Sequence, residues 1–277
     1  MRGLKDPYAG IQRSRRNLIK MGAIGGSAFF ANLIKTRPTA AQNSQGNDNN
    51  QGNEDGKDKS CFMRGTNIRT AVGERKIEDL AVGDLLPTVF GGMCPVQWIG
   101  YYPYKRSDQT KPWVKDVLPV RIARSALSFD VPHRDLYVTK AHALFIKGVL
   151  VSVGSLINGT TVTLYDARGL NELEFFHIIL EYHDVIYAEG APCETLLAVD
   201  ERAVNFADYL RQYGSLPVDR RRCAPLLSFN GGRSEVRSRF RSAISPWIDR
   251  REKLDVIRDE VEERGISLCG NDEVYRH

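Results

Sequence analysis

Cysteine is scarce in this 277-residue sequence, and its cysteines are widely spaced. There are five of them: Cys61, Cys94, Cys193, Cys223 and Cys269. An odd number cannot all pair within one chain, so the sequence does not describe a small domain held together by disulfide bonds. Whether Cys94 and Cys193 pair is left open by the sequence. At least one thiol stays free in a monomer and is a candidate for chemistry.

Long apolar runs are also absent. The longest extends from Met21 to Ile34 and is interrupted by Asn32. A membrane-spanning helix needs roughly 20 apolar residues, and this stretch is shorter than that. The sequence therefore predicts no stable membrane span.

The segment before this apolar stretch is basic. The run SRRNLIK at residues 14–20 resembles the twin-arginine export motif, with Arg15 and Arg16 as its signature pair. Thr39-Ala40-Ala41 then offers small residues of the kind that a signal peptidase cuts after. The resemblance implies that residues 1–41 are a twin-arginine signal peptide. The expected partners are the twin-arginine export machinery and a signal peptidase, and the expected location is periplasmic or secreted.

Excess basic charge is lacking outside this leader. The formal net charge is +5, but residues 1–41 alone contribute +7 through eight Lys or Arg and one Asp, which leaves −2 for residues 42–277. A nucleic-acid-binding domain normally carries a basic surface of its own. The sequence therefore predicts no nucleic-acid partner.

The composition divides the remaining chain into three parts. Residues 42–60 contain no aliphatic or aromatic side chain, which is typical of a disordered polar linker. From residue 61 to about residue 199, short apolar runs alternate with turn residues, which predicts an all-β domain of mostly antiparallel strands. Residues 200–277 predict a helical C-terminal extension of three segments, of which the first two have helical spacing and the third is a highly charged helix candidate. These segments are Ala203–Tyr213, Ser234–Ile248 and Arg251–Glu263.

Several strands of the all-β domain are predicted in detail. Leu136–Val138, Ala143–Ile146 and Val149–Val153 are apolar runs, with Lys147-Gly148 as a tight turn between the last two. Glu174–Leu180 predicts a later strand.

Four residues within this domain carry candidate chemistry. Cys61 opens the folded region directly after the polar linker, Thr139 and His142 form a Thr-x-x-His pair, and His183 follows an apolar strand run. A lone buried histidine is more often a packing residue than a catalyst, and a lone cysteine usually behaves as a small hydrophobe. Only the presence of all four residues, in this order along the chain, indicates a functional site.

This combination resembles the Hedgehog/intein (Hint) domain. Cys61-Phe62 with Ile77–Asp84 resembles the opening block of these domains, and the run from Phe176 to Gly190 resembles their closing block. Within the family, the bacterial subgroup of alphaproteobacteria is the most similar, since Cys223-Ala224-Pro225-Leu226 matches a motif of that subgroup. The resemblance implies an all-β Hint fold over residues 61–199.

The resemblance also implies a self-processing reaction. The Cys61 thiolate would attack the Ser60 carbonyl in an N-to-S acyl shift that gives a thioester. His142 would protonate the leaving nitrogen, Thr139 would orient the scissile amide, and His183 would act near the same centre as a secondary acid or base. No metal and no cofactor is expected.

Two departures from the family pattern narrow the expected reaction. The closing block lacks the His-Asn pair that splicing requires, since residues 188–194 read AEGAPCE. The strand where Hedgehog proteins carry an activating aspartate reads PVQWIG at residues 95–100 and has no acid. The sequence therefore predicts a thioester resolved by water or a thiol, without splicing and without sterol transfer.

Two alternatives remain open at this point. A catalytically inert Hint-fold module would act after export as a binding or structural domain. A cysteine hydrolase acting on other molecules would use Cys61 and His142. The chain segment directly before Cys61 argues against the second alternative, because its own carbonyl occupies the position of attack.

Overall fold

The computed structural model describes residues 60–106, 108, 110–197, 210–211, 214, 221–228 and 252–274. The predicted signal peptide, almost all of the polar linker and the predicted helix Ser234–Ile248 lie outside these residues. Of the predicted helix Ala203–Tyr213, residues 210–211 are described, and they are helical.

The described residues form three β-sheets built from fifteen short strands. The strands are β1 (Phe62–Met63), β2 (Asn67–Thr70), β3 (Gly73–Lys76), β4 (Leu85–Thr88), β5 (Gly92–Pro95), β6 (Trp98–Lys105), β7 (Val120–Ile122), β8 (Leu136–Val138), β9 (Ala143–Ile146), β10 (Val149–Ser152), β11 (Val162–Leu164), β12 (Glu172–Ile179), β13 (Val185–Ala188), β14 (Ala191–Glu194) and β15 (Leu226–Leu227). Two 3₁₀ turns, Ile77–Asp79 and Val153–Leu156, and one α-helix, α1 (Lys253–Val274), complete the elements.

The strand order places β1, which follows Cys61, in a different sheet from β13 and β14. One sheet has the order β11-β7-β8-β1-β12-β6, the second has the order β15-β10-β9-β14-β13-β2-β3, and β4 and β5 form a separate pair. All pairs are antiparallel except β10 with β15, which is parallel. This architecture confirms the predicted all-β class with mostly antiparallel pairing.

Tight turns of one kind close two hairpins of the second sheet. Lys147 and Gly148 have φ values of 50° and 80°, and Glu189 and Gly190 have φ values of 47° and 78°. Consecutive positive φ values match the right-handed twist of the flanking strands, and glycine adopts them without strain. The predicted turn at Lys147-Gly148 is confirmed, and the turn at Glu189-Gly190 connects β13 to β14.

Helix α1 packs on the all-β core. Leu254, Ile257 and Val261 are buried in the same hydrophobic cluster as the inner faces of the sheets. Their spacing places them on one face of the helix. At its N-terminus, the Asp255 carboxylate accepts a hydrogen bond from the Glu252 amide at 2.9 Å, which satisfies one of the free N–H groups of the first turn. The helix begins near the predicted position and ends at Val274 rather than Glu263.

Strand β1 sits between β8 and β12, and this determines which residues meet Cys61. Phe62 pairs with Phe176 of β12 and with Val138 of β8. In an antiparallel pair, one step back along one strand matches one step forward along its partner. Cys61, which precedes Phe62, therefore lies opposite His177 on one side and Thr139 on the other. No helix among the described residues is both long and apolar enough to cross a membrane.

Candidate functional site

Thr139 holds the backbone of Cys61 on both sides. The Cys61 amide donates a hydrogen bond to the Thr139 hydroxyl at 3.1 Å. The Thr139 amide in turn donates to the Cys61 carbonyl at 3.1 Å. The first of these bonds fixes the nitrogen of the Ser60–Cys61 peptide, which is the atom that leaves when this bond is cleaved. Thr139 therefore lies where the sequence predicts an amide-orienting residue.

His177 contacts both reacting atoms of the same peptide. Its Nδ1 lies 3.0 Å from the Ser60 carbonyl oxygen, and its Nε2 lies 3.7 Å from the Cys61 sulfur. A carbonyl oxygen can only accept a hydrogen bond, so Nδ1 carries the proton and donates it. In the neutral ring, Nε2 then presents its lone pair to the thiol. One imidazole thus offers a donor to the carbonyl and a base to the nucleophile.

His142 reaches the site through a turn. Its amide donates to the Thr139 carbonyl at 3.1 Å, which closes a turn between β8 and β9 and accounts for the Thr-x-x-His spacing. The ring packs edge-on against Phe62, with centroids 4.4 Å apart. His142 is completely buried, and neither ring nitrogen has a hydrogen-bond partner among the residues that the structure describes. Buried polar groups are rarely left unpaired, so such a group is a candidate for a functional role.

Burial also sets the protonation of His142. The loss of solvent lowers the pKa of His142 from its ordinary 6.5 to about 4, against the opposing effects of the Glu194 carboxylate and the Cys61 backbone. His142 is therefore neutral near pH 7. Because burial disfavours the charged ring, a protonated His142 is a strong acid that gives up its proton readily.

The low pKa of His142 predicts a pH dependence of stability. The unfolded chain binds a proton at this residue below pH 6.5, whereas the folded chain binds it only near pH 4. Acidification through this range therefore lowers the free energy of unfolding, by at most roughly 3 kcal/mol for this group at about 1.4 kcal/mol per pH unit. We expect a His142→Gln variant to lose about that much less than the wild type between pH 7 and pH 4. Urea unfolding at the two pH values measures the difference, and parallel losses in the two proteins would contradict it.

His183 does not contact the Ser60–Cys61 peptide directly but contacts Glu194, which does bind Ser60. Its side chain is fully buried, and Nε2 lies 3.3 Å from the Glu194 carboxylate. Its Nδ1 accepts a hydrogen bond from the Cys223 amide at 3.1 Å. Within the described part of the chain, the hydrogen bonds of His183 therefore go to Glu194 and Cys223 and not to Ser60 or Cys61.

Glu194 connects His183 to the side chain of Ser60. The Ser60 hydroxyl donates to Glu194 Oε1 at 2.6 Å, and the Ala143 amide donates to the same oxygen at 3.0 Å. Burial by itself raises the pKa of Glu194, but the hydrogen bonds from His183 and Ser60 and the influence of His142 outweigh it and lower the pKa overall. Glu194 is therefore a carboxylate at neutral pH although only 3% of it is exposed.

The structure thus brings together three of the four predicted residues and adds two others. Thr139 binds the Cys61 backbone and His142 follows in the same turn with its ring against Phe62, whereas His183 is linked to Ser60 through Glu194. His177 and Glu194 are candidate functional residues that sequence reasoning missed. The available signal was the same for both, a titratable residue inside or directly after an apolar strand.

Other cysteines offer a comparison with Cys61. Cys94, Cys193 and Cys223 are free thiols in the structure. Burial raises the pKa of Cys223 to about 11 and raises that of Cys193 further. These two thiols stay protonated near neutral pH and are poor nucleophiles.

One group of described residues has the spacing of metal ligands. His133 Nε2 lies 3.3 Å from Glu74 and 3.4 Å from Glu189. These distances also suit hydrogen bonds between a histidine and two carboxylates. The group includes none of the residues around Cys61, and the expectation that the reaction needs neither metal nor cofactor stays a prediction.

Comparisons with known proteins address the family. A model of the Hint domain family matches residues 60–200, which is just over half of the chain. A search of curated proteins found no match.

Several solved structures are similar at low identity. The gp41-1 intein is 14% identical, with 49% of this chain and 98% of that chain covered and a TM-score of 0.34. A DnaB intein from Synechocystis sp. PCC 6803 is 10% identical, with 50% and 99% covered and a TM-score of 0.35. The bacterial intein-like domain from Clostridium thermocellum is 15% identical, with 49% and 98% covered and a TM-score of 0.32. These values are too low to transfer an activity or a residue's role.

The family match begins one residue before Cys61 and extends beyond Glu194, so it contains the whole cluster around the Ser60–Cys61 peptide. The predicted Hint fold is confirmed, and the chain belongs to the Hint domain family.

Proposed function

We propose that this protein cleaves its own peptide bond between Ser60 and Cys61 through a thioester. The observation that carries the proposal is the position of His177, which contacts the Ser60 carbonyl oxygen and the Cys61 sulfur with its two ring nitrogens. A packing histidine needs neither contact. A reaction between that sulfur and that carbonyl needs both a base and an oxyanion donor.

The first step is the attack of the Cys61 sulfur on the Ser60 carbonyl, with His177 as both base and hydrogen-bond donor. The Cys61 thiol gives its proton to His177 Nε2, and the sulfur attacks the Ser60 carbonyl carbon. The negative charge that develops on the carbonyl oxygen is stabilised by the Nδ1–H of the same ring, which becomes a stronger donor as an imidazolium. The C–S bond forms and the C–N bond then breaks.

The leaving nitrogen must gain a proton as the C–N bond breaks. Thr139 holds this nitrogen through its hydroxyl, and His142 is the proton donor in this scheme. Burial lowers the pKa of His142 to about 4, so its protonated ring is a minor species at neutral pH, and this form gives its proton readily to an amine. Transfer of a proton from the His177 imidazolium to His142 returns both rings to their starting states, so one proton moves from sulfur to nitrogen overall.

Hydrolysis or attack by a thiol completes the reaction. Either nucleophile adds to the thioester carbonyl, releases a chain that ends at Ser60 and regenerates the Cys61 thiol. Splicing is not part of the proposal, because the closing block lacks a His-Asn pair. Reaction within the chain is favoured over hydrolysis of other molecules, since the Ser60 carbonyl already occupies the position facing His177.

Export is a separate proposal, because residues 1–41 lie outside the described residues. Cleavage after Ser60 separates this leader from the Hint domain, so we propose that processing follows export by the twin-arginine route. Fractionation of cells tests this, and uncut full-length chain is expected inside while the fragment from Cys61 onward is expected outside. Cut fragment inside the cell would contradict this order.

The cleavage itself is tested with the purified full chain. We expect dithiothreitol to accelerate release of a fragment that begins at Cys61, because the thiol resolves the thioester faster than water does. Intact-mass spectrometry over time with and without the thiol measures this. An unchanged mass in a folded sample would contradict the proposal.

A further inference from the structure

The side chain of Ser60 has a binding partner of its own. Its hydroxyl donates to Glu194 Oε1 at 2.6 Å, the length of a charge-assisted bond between a hydroxyl and a carboxylate. The two residues are 134 positions apart in the chain, and Glu194 belongs to the second sheet whereas β1 belongs to the first. The residue before the scissile bond is therefore held by its side chain as well as by its carbonyl.

The Glu194 carboxylate has partners on both oxygens that position it to accept a hydrogen bond. Besides Ser60, its partners are the Ala143 amide at 3.0 Å on Oε1, and His183 at 3.3 Å and Arg222 at 3.5 Å on Oε2. A buried carboxylate keeps its charge only when donors surround it in this way. Both oxygens are thus directed by other groups, and Oε1 is left facing the Ser60 hydroxyl.

Residues 221–228 contact both His183 and Glu194 and help to hold the Glu194 carboxylate in place. The Cys223 amide donates to His183 Nδ1, so the neutral ring of His183 carries its proton on Nε2 and donates it to Glu194. Arg222 of the same segment pairs with Glu194, and β15 fixes the segment by pairing with β10. His183 therefore acts on Glu194 as a positioning residue.

We propose that Glu194, His183, Arg222 and Cys223 form a subsite, the Glu194 pocket, that binds the side chain of the acyl-donor residue and selects a short side chain with a hydroxyl group. This inference rests on the proposed cleavage after Ser60 and names the residue type that the reaction accepts there.

The chemistry of the pocket explains the selection. A side chain without a donor leaves Oε1 with the Ala143 amide as its partner, which costs the hydrogen bond to a buried charge. An acidic side chain would bring a second negative charge against Glu194. A longer donor would have to displace the carboxylate from its three other partners. Serine and threonine meet all three conditions.

The pocket completes a three-point fixation of the scissile peptide. Glu194 holds the Ser60 side chain, His177 holds the Ser60 carbonyl, and Thr139 holds the Cys61 nitrogen. Loss of one point leaves the carbonyl free to rotate away from the sulfur, and misplacement of this kind slows a reaction without removing a reacting group.

Threonine and valine at position 60 provide a matched test, because they have the same shape and differ in the hydroxyl group. The rate of thiol-induced cleavage of the full chain is measured by intact mass. We expect Ser60→Thr to cleave within about 3-fold of the wild type and Ser60→Val to be about 10-fold slower or more. Equal rates for the two variants in a cleaving protein would overturn the pocket and leave the cleavage proposal intact. A wild-type chain that does not cleave would overturn both.

A second comparison connects the effect to Glu194. In a Glu194→Gln background the loss from Ser60→Val should shrink to about 3-fold or less, because the charged acceptor is already gone. A loss as large as in the wild-type background would mean that the hydroxyl acts elsewhere. If Glu194→Gln does not fold, as judged by its thermal unfolding, the threonine and valine comparison alone decides.

Discussion

A Cys61→Ala variant of the full chain is expected to stay intact in dithiothreitol, with cleavage slowed by at least about 1,000-fold. The variant lacks the sulfur that attacks the Ser60 carbonyl, and none of the other described thiols contacts that carbonyl in the structure. Cys61 is only 5% exposed, and the change removes one small atom from the cluster of Phe175, Leu173 and Ala167. The fold should therefore survive the substitution, and thermal unfolding checks this.

Cys94 provides the matched control for this variant. It is a free and partly buried cysteine outside the candidate site. We expect Cys94→Ala to cleave at the wild-type rate. Cleavage after Ser60 in Cys61→Ala would contradict the proposed nucleophile. Full-length, uncleaved chains for both the wild type and Cys61→Ala would favour the inert module instead.

A His177→Ala variant is expected to cleave about 100- to 1,000-fold more slowly than the wild type. The substitution removes the base that faces the sulfur and the donor that faces the Ser60 carbonyl. Loss of one oxyanion donor alone costs about 10²–10³ in other enzymes. The rate of thiol-induced fragment release measures the effect.

Two controls separate chemistry from packing at His177. Added imidazole should fill part of the space in His177→Ala and recover some of the rate, which a purely structural role would not allow. His177→Gln keeps a possible donor but has no base, so its rate should stay well below that of the wild type. A His177→Ala variant that cleaves within about 3-fold of the wild type would contradict the role of this residue.

The sequence allowed the fold class and part of the site to be predicted. Cys61 stands out because the composition changes abruptly there, from a polar linker to short apolar runs. Thr139 and His142 could be paired because their Thr-x-x-His pattern resembles an internal motif of Hint domains. Strand β1 is only two residues long, too short for any alternating pattern, and its register decides that His177 faces Cys61.

The two histidines of the closing block show why the site could not be completed from the sequence. His177 and His183 are six positions apart, but the chain leaves the first sheet after Ile179 and enters the second at Val185. His177 thus stays beside Cys61 while His183 lies against Glu194. Strand pairing between distant segments determines this outcome, and no local pattern records it.

The length of helix α1 has a similar cause. Gly265 interrupts the helical pattern and favours a helix end near Glu263. In the structure the helix continues, because Gly265 packs against the turn at Asn158–Thr161. A Cβ atom at this position would lie 2.7 Å from the Thr160 hydroxyl oxygen. Tertiary packing therefore overrides the local preference.

The thioester at Cys61 is tested most directly by trapping with hydroxylamine. The purified full chain is incubated with hydroxylamine at neutral pH, and the released N-terminal chain is analysed by mass spectrometry. We expect this chain to end in a hydroxamate on Ser60, since hydroxylamine attacks a thioester far faster than an amide. The Cys61→Ala variant should release no such product. Absence of the Ser60 hydroxamate from the wild type, or the same hydroxamate from Cys61→Ala, would contradict a thioester between Ser60 and Cys61.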